Sequence, residues 1–144
     1  MVASASTRLL WVAVAAAATY FVCFPRRLEY PAHLLGGMGV AGVGFALLPW
    51  AARRLLAVEV RGLGALLLVA VATLVTELTV TGPADLMDGV TTILGGTLGV
   101  AAVTGAPRLG GSRRLAVSGA ALVMVGLFIR YPLQGMAKHW WWFG

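Results

Sequence analysis

Apolar residues in this chain fill whole stretches instead of one face of a repeat, and short joints carrying arginine, proline or glycine interrupt them. Stretches nearly free of charge run from Leu9 to Phe24, Pro31 to Trp50, Gly62 to Thr81, Met87 to Val103 and Leu115 to Leu133. In lipid the backbone must satisfy its own hydrogen bonds, and a helix of about 20 apolar residues does so across a core of about 30 Å. The pattern predicts an all-α, polytopic transmembrane helical bundle of five spans, one integral membrane domain over residues 1–144. The fifth run has 15 residues up to Ile129, about 22 Å at 1.5 Å per residue, so it spans only if Arg130 snorkels outward and the helix continues. Four spans with an interfacial C-terminal helix is the alternative.

The joints hold the expected helix breakers: Pro25 before Arg26 and Arg27, Arg53 and Arg54, Gly82 with Pro83, and Pro107 through Gly110, Gly111 and Ser112. None is long enough to read as a linker between domains. The first run has the look of a secretory signal, with Arg8 before a Leu-, Ala- and Val-rich stretch, but is read as a retained first span. Composition agrees with a membrane protein: 60% of the 144 residues are hydrophobic and 11% charged, against roughly 25% charged in soluble chains. The net charge of +6 is therefore poor evidence for nucleic-acid binding. A single cysteine, Cys23, leaves neither a disulfide framework nor a CxxC site.

Charge sets the expected orientation. With five spans, Arg8, Arg53, Arg54, Arg61, Arg108, Arg113 and Arg114 collect on one side, and Arg26, Arg27, Arg130 and Lys138 on the other. Seven against four makes the first side cytoplasmic. Glu59 lies inside, whereas Glu29, Glu77, Asp85 and Asp88 lie at or near the outer face. Ala, Gly, Val and Arg usage resembles a high-GC bacterium, so the expected location is the inner, cytoplasmic membrane with the amino terminus in the cytoplasm. Trp11 and Trp50 then sit at inner span ends, and Trp140, Trp141 and Trp142 beyond the outer end of the fifth, as interfacial anchors.

Hydrophobic attraction between helices is largely absent in lipid, and small residues that bring backbones together take its place. In the second span His33, Gly37, Ala41 and Gly44 share a helical face, and Gly36, Gly39 and Gly42 widen that smooth strip. The fourth span repeats the device with Asp88, Thr92, Gly95 and Gly99. Packing the two faces together predicts that His33 and Asp88 meet in one outer pocket. In the third span Glu77 sits about one turn, ~6 Å, below the outer end. A carboxylate there is expensive unless neutral, paired or hydrated. Arg130, Arg26, Arg27 and His33 are its candidate partners, a structural pair with Arg130 being the plainest.

The segment from Glu77 to Gly99, ELTVTGPADLMDGVTTILGGTLG, resembles the signature of VanZ-like membrane proteins. In that family a Glu near a span end is followed by an outer loop and helix in a pattern like ExxQ, PGR and DxxDxxxNxxGxxxG. Glu77, Asp85, Asp88, Gly95 and Gly99 match. Val80 stands at the Gln position, Gly82 at the Arg position and Thr92 at the Asn position, and the loop is shorter. The family is associated with glycopeptide resistance and the cell envelope. The resemblance implies functional roles for Glu77, Asp85 and Asp88, with Thr92 as a substitute ligand.

Asp85 and Asp88 also have a local explanation, since free amides and the positive dipole end at the start of the fourth helix suit acidic residues. The expected ligand-binding set is Glu77, Asp85, Asp88, His33, Thr92 and Arg130. The reading is an outward-facing acidic site for a cell-envelope or lipid-linked ligand. The alternative is a non-catalytic accessory subunit that docks larger membrane proteins through its glycine-rich faces and tryptophan tail. No nucleophile accompanies His33, so an enzyme is not the expected class. No HExxH, CxxC or His pair supports a metal, and a lone in-span histidine cannot complete bis-ligation of a haem, so no cofactor is expected.

Overall fold

The computed structural model describes residues 3–51, 58–79, 86–104 and 112–133, helical almost throughout and with no strand among them. Five α-helices follow one another: α1 (Ala5–Cys23), α2 (Glu29–Ala51), α3 (Val58–Thr79), α4 (Leu86–Thr104) and α5 (Ser112–Phe128), the last running on into a π-helical turn, Ile129–Leu133. Four described segments are long and apolar enough to cross a membrane: Ala5–Cys23, Glu29–Leu48, Leu86–Thr104 and Arg113–Pro132. The fifth run, short by simple counting, is thus among them, because the helix continues through Arg130. The described apolar stretch of α3, Val60–Thr76, is the shorter one.

Local chemistry sets the visible helix ends. Ser4 caps α1, its hydroxyl accepting from the Thr7 N–H at 3.2 Å, which satisfies one of the donors a helix start leaves open. Pro25 cannot continue the α1 hydrogen-bond ladder, and the chain leaves the helix at Phe24, whose N–H still donates to the Tyr20 carbonyl at 2.8 Å. Tyr20, Phe24 and Tyr30 then cluster, Tyr30 edge-on to the other two rings and centroids 5.6–6.5 Å apart, across the turn into α2. Arg27 pairs with Glu29 at 3.1 Å. Pro31 lies in the first turn of α2, where a missing N–H costs no intrahelical bond.

α2 is the axis of the bundle. Two thirds of its span (67%) is buried, against 11% for α1, as befits a helix that is apolar all round. α5, α4, α3 and α1 all pack on it; α1 also touches α4 and α5, and α3 also touches α4. Among the described residues α3 and α5 share no packed interface. The ring around α2 is therefore open between them.

Glycine makes these contacts possible. A Cβ on Gly37 would land on the Thr92 carbonyl of α4, and one on Gly95 would land on the Leu34 carbonyl of α2. On the other side of α2, Gly39 and Gly119 face each other so closely that a Cβ on either would come within 2.5–2.6 Å of the other's carbonyl. Gly39 thus serves α5, and Gly42 serves α1, where a Cβ would come 2.7 Å from the Leu9 side chain, as well as α5; neither widens the α4 strip. Leu9, Leu35, Met38, Phe45, Ala65, Val103, Leu115, Leu122 and Ile129 join all five helices in one buried cluster. Leu63, Leu67, Leu74, Val117 and Met124 are exposed on the outside, an apolar surface far beyond that of a soluble monomer.

Candidate functional site

The polar residues gather at the end of the bundle where α2 and α4 begin and α3 and α5 finish. His33 lies in the second turn of α2, Asp88 in the first turn of α4, and Arg130 in the π-helical turn after α5. The close α2–α4 approach at Gly37 and Gly95 sets the first two face to face. The His33 Nε2 is 3.2 Å from the Asp88 Oδ2, and the side chains are 14% and 5% exposed. Arg130 reaches the same oxygen with its Nη2 at 3.7 Å. Gly126, one turn before Arg130, holds that face against α2: a Cβ there would come 2.7 Å from the Ala32 carbonyl.

Hydrogen bonds on α4 fix the histidine further. The Thr92 hydroxyl donates to the Asp88 carbonyl at 2.9 Å, and its oxygen stands 3.1 Å from the His33 Nδ1. A hydroxyl has one proton, so with that proton on the carbonyl the Nδ1 must be the donor to Thr92. The Nε2 then faces a carboxylate oxygen, and the contact is attractive only if a proton lies on Nε2 or on Asp88. The two side chains thus stand at ion-pair distance, 3.2 Å, inside the helix contact. Buried Thr91 donates to the Asp88 and Met87 carbonyls at 3.0 and 2.9 Å, closing the turn beneath the carboxylate.

A half-enclosed crevice of about 150 Å³ adjoins this centre. It fills the opening in the ring, with α2 at its back (Gly36, Val40), Val69, Thr73 and Thr76 of α3 on one side, and Val123, Gly126 and Leu127 of α5 on the other. Its walls are mostly apolar, and His33, Thr92 and Arg130 lie at its polar end. Asp88 is not on the wall; it sits behind His33 and Arg130. Thr73 and Thr76 direct their hydroxyl protons to carbonyls of their own helix, Val69 and Ala72.

Of the six residues expected from sequence, the structure brings together His33, Asp88, Thr92 and Arg130. Glu77 is in the last turn of α3, but its side chain lies outside the described residues, as do Asp85 and Trp140–Trp142. Arg130 does not snorkel outward: it leans inward onto Asp88, its side chain 28% exposed. Among the described residues no group of three or more His, Cys, Asp or Glu is placed to hold a metal. Thr91 and the α5 face were not expected. The signal for the latter is present: Gly119, Val123, Gly126 and Arg130 repeat the spacing of the α4 stripe, with glycine at two positions, and also end in a polar residue. No family model matches the chain, and neither a curated protein nor a solved structure matches it significantly.

Proposed function

We propose that this chain is a five-span, VanZ-like protein of the bacterial cytoplasmic membrane that holds an amphipathic, lipid-linked cell-envelope ligand at its outward-facing end. The observation that carries this reading is the convergence of His33, Asp88 and Arg130, from three helices, beside a crevice open between α3 and α5. Ionisable groups at membrane depth are costly and tend to mark sites of ligand or ion handling. The crevice joins an apolar length to a polar end, the shape an amphiphile requires. The arginine count on the two sides of the bundle favours placing that end outside. Glu77 and Asp85 are proposed to border the same mouth, on the strength of the sequence resemblance.

The test is made in the producing cell. Asp88→Asn, His33→Gln and Arg130→Gln are each expected to abolish whatever cell-wall antibiotic or envelope-stress phenotype deletion of the chain produces, with the protein still in the membrane at normal level. Retention of the wild-type phenotype by all three variants overturns the proposal. Loss of co-purifying proteins on removal of the tryptophan tail, with those three variants silent, would replace it by the accessory-subunit reading.

A further inference from the structure

The ligand's head can be assigned from the wall of the crevice. Among the described residues that line it, the side chain with a permanent charge is Arg130; the carboxylate that balances it, Asp88, is turned away behind His33. The ring nitrogens of His33 are turned into the helix contact, Nδ1 to Thr92 at 3.1 Å and the buried Nε2 toward the Asp88 carboxylate at 3.2 Å. The hydroxyl protons of Thr73, Thr76 and Thr92 go to backbone carbonyls. The charged donor that the wall presents to a ligand is thus the guanidinium, with the phenol of Tyr131, also on the wall, as a neutral hydroxyl beside it. The planar fork of the guanidinium matches two oxygens of a phosphate, and such charge-assisted pairs are the stronger hydrogen bonds in a site with little water.

Gly36 marks where the apolar part would lie. It lines the crevice one helical turn inward from His33, and a Cβ built on it meets nothing within 4 Å. Most glycines of α2 sit where a neighbouring helix leaves no room for a side chain; Gly36 does not. A volume of about 150 Å³ takes a group of roughly benzene size, which is the start of one hydrocarbon chain and not a whole lipid. The rest of the molecule must remain in the bilayer, as the gap between α3 and α5 permits.

We propose that the crevice receives a membrane lipid with a phosphate head, the phosphate on Arg130 and the first segment of one chain over Gly36, while Asp88 and His33 act as positioning residues that hold the guanidinium. This rests on the amphiphile site proposed above and adds the chemical class of its head.

The experiment uses the full chain, purified in mild detergent and titrated with dioleoyl phosphatidic acid, dioleoylglycerol or inorganic phosphate, with occupancy read by native mass spectrometry. The expected result is one phosphatidic acid per chain, at least tenfold preferred over dioleoylglycerol, and not displaced by millimolar inorganic phosphate. Arg130→Gln should remove that preference, Arg130→Lys should restore part of it, and Gly36→Leu should lower occupancy by both lipids at unchanged helical content. Equal binding of the two lipids, a preference that survives Arg130→Gln, or displacement by free phosphate overturns the phosphate-lipid assignment. If the head is indifferent but Gly36→Leu still excludes both lipids, the amphiphile site stands without it; if Gly36→Leu changes nothing, the site itself falls.

Discussion

Gly36 and Gly37 are adjacent in sequence and chemically identical, yet they occupy opposite situations, and substituting each by alanine isolates what glycine does in this bundle. At Gly36 the added methyl enters open space, so the change should register the helix preference of alanine over glycine, about 0.5–1 kcal/mol in favour of the variant. At Gly37 the methyl would land on the Thr92 carbonyl and within 2.9 Å of the Gly96 nitrogen. Both obstacles are backbone, which cannot rotate away, so α2 and α4 must separate. Overpacking of this kind costs about 1–3 kcal/mol, and the intrinsic gain offsets only part of it. The intrinsic gain is common to both variants, so they should differ by the overpacking cost, about 1–3 kcal/mol, a factor of about 5 to 140 in the unfolding constant at 1.4 kcal/mol per decade. Equilibrium unfolding in mixed micelles with rising dodecyl sulfate, followed by far-UV circular dichroism, reads the difference directly. Separation of the helices would also lengthen the 3.2 Å His33–Asp88 contact, so Gly37→Ala should lose the proposed envelope phenotype as well as stability. Equal midpoints for the two variants would refute the close α2–α4 contact.

Asp88→Ala removes the carboxylate from a buried charged set and leaves the basic partners facing each other, so a loss of about 3–5 kcal/mol is expected in the same unfolding assay; a change under 1 kcal/mol would contradict the geometry. Thr92→Val keeps the shape but deletes the acceptor for the His33 Nδ1 and should cost about 1 kcal/mol, with no further loss when His33 is already alanine. Cys23 is exposed at the end of α1, next to the start of α2, and so is a native reporter of which side the polar centre faces: an impermeant maleimide should label it in intact cells or spheroplasts. Labelling seen solely after lysis would reverse the proposed orientation.

The helices were legible because each apolar run is bounded by residues that end a membrane helix, and the α2–α4 contact was legible because a small-residue stripe can serve little else in lipid. The stripe also carried its polar end residue, so the meeting of His33 with Asp88 followed from helix periodicity. The destination of Arg130 did not. Counting residues to a charge treats that charge as a boundary, and snorkelling is the usual fate of an arginine near a span end. Here Gly126 brings the end of α5 onto Ala32, and the helix widens into a π turn through Pro132, which carries Arg130 toward Asp88. The sharing of α2 between two neighbours was also hidden. Gly36, Gly37 and Gly39 are indistinguishable by type, and only the positions of α4 and α5 assign one to open space, one to Thr92 and one to Gly119.

Stability alone does not account for the charged centre. Taking a carboxylate, a guanidinium and an imidazole out of water carries a desolvation cost that their mutual attraction often fails to recover, and apolar side chains of similar volume are commonly neutral or better by 1–4 kcal/mol. In a bundle held by backbone contact at Gly37, Gly95, Gly119 and Gly126, these three side chains are not needed to bring the helices together. Replacing all of them at once, His33→Leu with Asp88→Leu and Arg130→Met, should then leave the bundle at least as stable as the wild type, although Asp88→Ala alone weakens it. The same triple variant should be inactive in the cell and should no longer prefer phosphatidic acid over dioleoylglycerol. If it instead unfolds in the dodecyl sulfate titration, the charges hold the fold and the functional assignment loses its physical basis. If it is stable and still active, the centre is dispensable to both.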